Sequence, residues 1–195
     1  MDIRRVCVFC GASSGIHPDY ARVAREVGTR LAKESIGVVY GGARTGLMGE
    51  LADAALRAGG RVIGIIPEHL QAREVAHTGL SELRVVRTMH ERKALMADLA
   101  DGFIGLPGGI GTLEEFFEVA TWSQLGIHAK PTALLNVRGY YDLVERFLAH
   151  AVEEGFLRAD HRALITIADE LSALLDALRS FRPTPAERWL DPSER

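Results

Sequence analysis

Short runs of consecutive apolar residues alternate along the chain with longer segments in which apolar residues recur every three or four positions. The short runs predict strands, and the longer segments predict amphipathic helices. The predicted strands are residues 6–10, 37–40, 61–66, 83–86, 103–106, 132–135 and 164–167. The predicted helices are residues 18–33, 47–58, 89–99, 113–125, 140–154 and 169–180. Apolar strands that alternate with helices indicate a parallel sheet covered on both faces.

We therefore predict a single α/β domain that is Rossmann-like and doubly wound, with a mostly parallel sheet and helices on both faces. This domain spans residues 1–181, and residues 182–195 are predicted to form an irregular, charged tail that holds three of the seven prolines. The polar segment 67–79 is long for a connection between a strand and a helix, so we interpret it as a candidate binding loop.

Charge and cysteine content narrow the possible functions. The chain has 195 residues and a formal net charge of −3, which argues against a protein that coats nucleic acid or an anionic membrane. No apolar stretch is long enough to cross a bilayer and no signal-peptide pattern is found, so we expect a cytoplasmic protein. Cys7 and Cys10 lie three residues apart on a predicted strand and point to opposite faces, which favours two core residues over a metal or redox pair.

Three predicted strands end in glycine-rich turns, at residues 11–15, 41–49 and 107–112. Ligands of open parallel sheets bind beyond the carboxyl ends of the strands, and glycine-rich turns before helices present N–H groups to phosphate. Tight turns and close helix packing are the alternative explanation for any one of these loops. Because no turn is a Walker loop and no G-x-G-x-x-G follows the first strand, a mononucleotide or a sugar phosphate fits best.

Charged residues lie close to these loops. Arg92 and Lys93 open a predicted helix and together could neutralise a phosphate, although they equally fit a solvated helix face. Thr112 and Glu115 have the Thr-x-x-Glu spacing of a capping box, which is a structural role. A carboxylate at Glu115 would also face the crevice, where it could stabilise positive charge at an anomeric carbon or hold the attacking water.

Two further candidates rest on position alone. Glu74 lies in the polar segment 67–79 and could hydrogen-bond a sugar or a base, although a lone glutamate there is typical of plain surface. Thr121 lies two turns beyond Glu115 on the same predicted helix and could face the same pocket. The sequence has no H-E-x-x-H motif, no Cys/His cluster with metal-ligand spacing and no G-x-S-x-G nucleophile elbow.

Arginine outnumbers lysine by 20 to 3. An enzyme that forms a Schiff base with pyridoxal phosphate would therefore have only three lysines to use. Lys33 lies on a predicted surface helix, Lys130 starts a predicted strand, and Lys93 suits a phosphate as well as an aldimine. A pyridoxal-dependent lysine decarboxylase is therefore only a remote alternative.

Residues 107–115, Pro-Gly-Gly-Ile-Gly-Thr-Leu-Glu-Glu, resemble the P-G-G-x-G-T-x-x-E signature of the Lonely guy (LOG) family. Members of this family are cytokinin riboside 5'-monophosphate phosphoribohydrolases that were long mislabelled as lysine decarboxylases. Residues 8–15, 41–49, 89–93, 121–126, 130–131 and 135–136 also look like family blocks in the same order, so the resemblance covers residues 4–168. Ala43 stands where a third glycine is expected; its methyl group should fit there but tighten that loop.

The resemblance implies hydrolysis of the N-glycosidic bond of N6-modified adenosine 5'-monophosphates, with AMP as a slower substrate, to give the free base and ribose 5-phosphate. It implies catalytic roles for Arg92 and Glu115, no metal or organic cofactor, and a homodimer. The candidate substrate-binding residues in the matching blocks and the polar segment are Glu74, Arg92, Lys93, Gly108, Gly109, Ile110, Gly111, Thr112, Glu115, Thr121, Gly11, Ser13, Gly42 and Met89. A non-catalytic module that binds a nucleoside monophosphate remains the alternative.

Overall fold

The computed structural model describes residues 2–71 and 76–182. The strands are β1 (Arg5–Phe9), β2 (Gly37–Tyr40), β3 (Val62–Pro67), β4 (Glu82–Val86), β5 (Gly102–Gly105), β6 (Thr132–Leu135) and β7 (Ile165–Ala168). The helices are α1 (Pro18–Lys33), α2 (Gly46–Arg57), α3 (Glu68–Gln71), α4 (Met89–Leu99), α5 (Ile110–Gln124), α6 (Asp142–Glu153), α7 (Ala159–Arg162) and α8 (Leu171–Ser180). A 3₁₀ turn, Val137–Gly139, follows β6.

The seven strands form one sheet in the order β4-β3-β2-β1-β5-β6-β7, and every neighbouring pair is parallel. From β1 the chain moves outward to β4, then returns to the other side of β1 and continues outward from β5 to β7. The predicted doubly wound parallel sheet is therefore confirmed. The strand order reverses direction between β1 and β5, because the chain proceeds outward to one edge from β1 and to the other edge from β5. The expected ligand crevice therefore lies beyond the carboxyl ends of these two strands.

Helices cover both faces of the sheet and enclose two apolar clusters. One cluster contains side chains of α1, α2 and α8, and the other contains side chains of α4, α5 and α6. Cys7 belongs to the second cluster and Cys10 to the first, so the two thiols are buried on opposite faces as predicted. Burial raises the pKa of both thiols, which keeps them protonated and unreactive.

Most predicted bounds agree with the structure to within two residues. The exception is α5, which begins at Ile110 rather than at residue 113 and so changes the interpretation of the third glycine loop. The polar segment 67–79 contains the short helix α3 and then residues 72–75, which lie outside the described part of the chain, as does the predicted tail beyond Arg182. None of the described helices has the length and apolar character needed to cross a membrane.

Candidate active site

The three glycine loops follow β1, β2 and β5, which are neighbours in the sheet, and they contact one another directly. The Gly11 N–H donates to the Pro107 carbonyl at 3.0 Å, and the Leu47 N–H donates to the Gly11 carbonyl at 3.0 Å. A Cβ at Gly46 would lie 2.3 Å from the carbonyl carbon of Ala12, so the first two loops approach too closely for a side chain there. The three loops therefore lie together at one edge of the sheet, as predicted.

The third loop leads into α5 without a side-chain cap. Gly109 is the N-cap residue and no side chain accepts a hydrogen bond from the first turn, so the N–H groups that open α5 lack a protein acceptor within the described residues. A Cβ at Gly109 or at Gly111 would meet no atom within 4 Å, and Ile110 is 87% exposed. The start of α5 is therefore an open, partly positive site that suits an anion.

The predicted capping box of Thr112 and Glu115 is wrong. Because Gly109 already caps the helix, Thr112 is the third residue of α5, where it is buried, and Glu115 lies in the second turn. The Thr-x-x-Glu pattern forms a cap one helix earlier: Thr88 Oγ1 accepts from the Glu91 N–H at 3.1 Å. The side chain of Glu91 also accepts from the Arg87 N–H at 2.9 Å. The same spacing therefore marks a helix start at α4 but not at α5.

Arg92 is buried against the second glycine loop, where it meets Glu115. Its Nη1 lies 3.0 Å from Glu115 Oε1, and its Nε donates to the Ile65 carbonyl at 3.2 Å. A Cβ at Gly41 would lie 2.0 Å from Arg92 Nη2, so the glycine leaves the space that the guanidinium fills. The structure thus brings together the two residues that were predicted to be catalytic, from α4 and α5.

Glu115 is largely shielded from water, with 13% of its side chain exposed. Burial raises the pKa of this carboxyl above its ordinary value, and the attraction of Arg92 only partly opposes that rise. The neighbouring carboxylates Glu114 and Glu118 push the pKa of Glu115 further upward. The group therefore takes up a proton more readily than a free glutamate.

Lys93 does not join the Arg92–Glu115 pair. Its Nζ contacts Glu118 Oε1 at 2.9 Å and Glu114 Oε1 at 2.5 Å, and the side chain is nearly buried. Burial lowers the pKa of Lys93, but its hydrogen bonds to Glu114 and Glu118 outweigh that effect and raise the pKa overall. Its contact with a nucleotide stays a prediction, since two carboxylates already neutralise the ammonium group.

The other candidate residues are more dispersed. Thr121 is exposed, and its Oγ1 donates to the Phe117 carbonyl at 2.7 Å. Because it lies seven residues after Glu114, Thr121 shares the helix face of Glu114 and not that of Glu115. Met89 Sδ lies 3.9 Å from Arg92 Nη1, so Met89 borders the Arg92–Glu115 pair.

Two further candidates lie in the glycine loops, and one lies outside the described residues. Gly42 has a left-handed backbone (φ 76°), and its carbonyl accepts the His77 N–H at 2.9 Å. Ser13 is exposed in the first loop. Glu74 lies outside the described residues, so its predicted contact with the substrate stays a prediction.

Sequence reasoning missed two sets of residues that hold the glycine loops. After β6, the hydroxyl group of Tyr140 donates to the Gly108 carbonyl in the third loop, and that of Tyr141 donates to the Leu106 carbonyl just before it. His77 holds the second loop, and its ring nitrogen Nε2 lies 3.0 Å from Asp53 Oδ1. The position of the tyrosines just after a strand, at the edge where the glycine loops lie, was the available signal. Among the described residues no group of three or more His, Cys, Asp or Glu side chains could hold a metal ion.

A protein-family model described as "Possible lysine decarboxylase" matches residues 48–178 of the chain. A probable cytokinin riboside 5'-monophosphate phosphoribohydrolase of Oryza sativa subsp. japonica, LOGL9, is 50% identical over 180 residues, which cover 92% of this chain and 79% of the relative. The chain belongs to the LOG family. A cytokinin riboside 5'-monophosphate phosphoribohydrolase of Rhodococcoides fascians is likewise 50% identical over 178 residues, covering 91% of this LOG-family chain and 90% of the relative.

Solved structures share the fold of this LOG-family chain at low sequence identity. The molybdenum cofactor carrier protein of Chlamydomonas reinhardtii is 19% identical, with a TM-score of 0.67 over 91% of this chain and 96% of that protein. The molybdenum cofactor binding protein of Rippkaea orientalis is 19% identical, with a TM-score of 0.69 over 92% of this chain and 98% of that protein. At this identity the likeness concerns the fold alone.

Proposed function

We propose that this protein hydrolyses the N-glycosidic bond of cytokinin-type adenosine 5'-monophosphates, and of AMP more slowly, to release the free base and ribose 5-phosphate. The observation that carries the proposal is the buried contact of Arg92 with Glu115, beside the uncapped start of α5. Relatives that are 50% identical over more than nine-tenths of the chain are named for this activity, which supports the same reaction here.

The start of α5 is suited to the 5'-phosphate. A phosphate carries about two negative charges near neutral pH, and uncapped N–H groups with the positive end of a helix dipole stabilise such an anion. Glu115 follows in the next turn of the same helix, and helical side chains point back toward the N-terminus. A phosphate at the start of α5 therefore leaves the ribose on the side where the Glu115 carboxyl lies.

The catalytic pair fits the charges that develop when the bond between C1' and the purine breaks. Positive charge grows on the ribose, where the Glu115 carboxylate stabilises it, and water adds its hydroxyl group to C1'. The bond electrons leave with the purine, which takes up a proton, and Arg92 offsets negative charge on the substrate. The raised pKa of Glu115 suits a carboxyl that exchanges a proton with water or with the leaving group during turnover.

The description of the matching family model raises a second function, lysine decarboxylation with pyridoxal phosphate, which the environments of the three lysines do not favour. An aldimine needs an uncharged amine, but the raised pKa of Lys93 keeps its amine charged between Glu114 and Glu118. Lys130 Nζ donates to the Ala97 carbonyl at 2.7 Å, and Lys33 closes the surface helix α1. A pyridoxal chromophore on the purified protein would revive this function.

Hydrolysis and mere binding of a nucleotide are separated by product analysis. The wild-type protein is incubated with AMP and with an N6-prenylated AMP, and free base and ribose 5-phosphate are quantified by chromatography and mass spectrometry. Equal amounts of both products support hydrolysis. Saturable binding of AMP without any product would instead identify a nucleotide-binding module.

The remaining expectations concern the cellular setting. We propose that the protein acts in the cytoplasm on free nucleotides, without a nucleic-acid or membrane partner, and that it forms a homodimer. The net charge of −3 supports the first part. Light scattering on the purified protein tests the second part, since a monomeric mass across the working concentration range would reject the homodimer.

A further inference from the structure

A left-handed turn after β6 places two consecutive tyrosines beside the third glycine loop. Arg138 (φ 56°) and Gly139 (φ 69°) are both left-handed, a conformation that an arginine rarely adopts. The rings of Tyr140 and Tyr141 then lie nearly perpendicular, at 84°, with centroids 5.1 Å apart. Adjacent tyrosines can in this way reach different points of one neighbouring loop.

Each tyrosine hydroxyl group donates to a backbone carbonyl, one within that loop and one at the residue just before it. Tyr141 OH lies 2.6 Å from the Leu106 carbonyl, and Tyr140 OH lies 2.5 Å from the Gly108 carbonyl. These carbonyls stand on either side of Pro107, so the start of the loop is held on both sides of this residue.

The second tyrosine is itself held firmly in place. Tyr141 is fully buried, and its backbone N–H donates to Asn136 Oδ1 at 2.7 Å. The amide nitrogen of Asn136 donates in turn to Asp142 at 2.8 Å and to Asp169 at 2.9 Å. The tyrosine pair thus rests on a fixed hydrogen-bond network at the end of β6.

The bond to Gly108 fixes the direction of an N–H group in the candidate phosphate site. The carbonyl of Gly108 and the N–H of Gly109 belong to one planar, trans peptide unit, in which they point in opposite directions. Glycine on both sides of that unit would otherwise let it rotate. A hydrogen bond from Tyr140 therefore turns the Gly109 N–H away from Tyr140.

We propose that Tyr140 is a positioning residue that aims the Gly109 N–H and the first turn of α5 at the 5'-phosphate, while Tyr141 anchors the base of the loop. This proposal rests on the proposed function, because it assigns the phosphate to that loop. It goes further by assigning substrate affinity to a tyrosine outside the glycine loops and outside the Arg92–Glu115 pair.

The test compares Tyr140→Phe and Tyr141→Phe with Tyr20→Phe as the matched control. The ring of Tyr20 contacts the ring of Tyr140 edge-on at 5.8 Å, and among the described residues its hydroxyl group makes no hydrogen bond. For Tyr140→Phe we expect the KM for AMP to rise roughly 3- to 10-fold, the worth of one net hydrogen bond, with kcat changed by less than about twofold. Tyr141→Phe shifts KM in the same direction and also lowers Tm, whereas Tyr20→Phe changes neither.

An unchanged KM in Tyr140→Phe, or an equal rise in Tyr20→Phe, would overturn the proposal. Hydrogen exchange of the amides of residues 108–112 provides a readout that needs no turnover, and it should quicken in Tyr140→Phe but not in Tyr20→Phe. If the wild-type protein releases no base from AMP, the proposed function fails. If it releases base but KM and exchange are unchanged in Tyr140→Phe, only the positioning role fails.

Discussion

Replacing Glu115 by glutamine should abolish most turnover and leave the fold intact. The amide keeps the shape of the carboxyl group, whose Oε1 lies 3.0 Å from Arg92 Nη1, but it removes the negative charge. One preorganised electrostatic contact is typically worth about 3–4 kcal/mol in the transition state, so we expect kcat to fall by roughly 10²- to 10³-fold.

The stability of Glu115→Gln follows from two opposing effects. At 3.0 Å the attraction between Arg92 and the carboxylate is roughly 5 kcal/mol for an effective dielectric constant of about 20. The pKa of Glu115 is nevertheless raised, so the free-energy cost of burying its charge exceeds that attraction. A neutral amide loses the attraction but also avoids that cost, so the two effects largely cancel and we expect the free energy of unfolding at pH 7 to change by no more than about 1 kcal/mol.

The difference in the free energy of unfolding between the wild-type protein and Glu115→Gln should depend on pH in a predictable direction. Because the folded-state pKa of Glu115 lies above its ordinary value of 4.5, the protonated carboxyl is favoured by folding. The stability of the wild-type protein relative to Glu115→Gln is therefore greatest below pH 4.5. This added stability is lost as the pH rises through the folded-state pKa. Denaturant unfolding of both proteins across this range measures it.

The assay is release of free base from AMP, with Glu114→Gln as the matched control. Glu114 is the adjacent carboxylate, half exposed, and it contacts Lys93 instead of Arg92. We expect Glu114→Gln to keep kcat within about threefold of wild type, as is usual for exposed ion pairs. Near wild-type turnover in Glu115→Gln, or an equal loss in both variants, would refute the catalytic role of Glu115.

Three further predictions test neighbouring features. Gly41→Ala places a Cβ 2.0 Å from Arg92 Nη2, so it should displace the guanidinium and lower kcat at least about tenfold with little loss of Tm; unchanged kcat would contradict this. Gly111→Ala should raise stability by up to about 1 kcal/mol, because alanine favours helices, yet raise the KM for AMP; an unchanged KM would place the phosphate elsewhere. The acid limb of kcat/KM should lie above pH 4.5, since burial raises the pKa of Glu115, and a limb at or below 4.5 would assign it to another group.

The sheet and the helices could be predicted because local signals agree with the fold. Helix α1 has proline in its first turn and a regular apolar face, so its predicted bounds are those of the structure. Strands β1, β2 and β5 are short, buried apolar runs, and a glycine-rich turn follows each of them. The three glycine loops were identified on the sequence because each follows such a run.

The start of α5 could not be predicted, because two local signals compete there. Thr112 and Glu115 have the spacing of a capping box, but Gly109 starts the helix three residues earlier. A glycine at the N-cap leaves the first N–H groups of the helix without a side-chain acceptor. A threonine there would have accepted a hydrogen bond from one of them. Spacing alone does not show which of these solutions the chain adopts.

The pairing of charges could not be predicted from adjacency in the sequence. Arg92 and Lys93 are neighbours on α4, but consecutive helical residues point about 100° apart, so Arg92 reaches Glu115 and Lys93 reaches Glu114 and Glu118. These contacts depend on how α4 packs against α5 on one face of the sheet. The hydroxyl groups of the tyrosines after β6 likewise gain their role only from the position of β6 next to β5.

The most direct test of the central claim is the dependence of base release on the 5'-phosphate. Adenosine, AMP, ADP and ATP, with the corresponding N6-prenylated compounds, are compared by kcat/KM for release of free base. We expect the monophosphates to exceed the nucleosides by at least about 100-fold, since the start of α5 contributes only when a phosphate occupies it. Cleavage of a nucleoside as readily as its monophosphate, or no base release from any compound, would contradict the assignment.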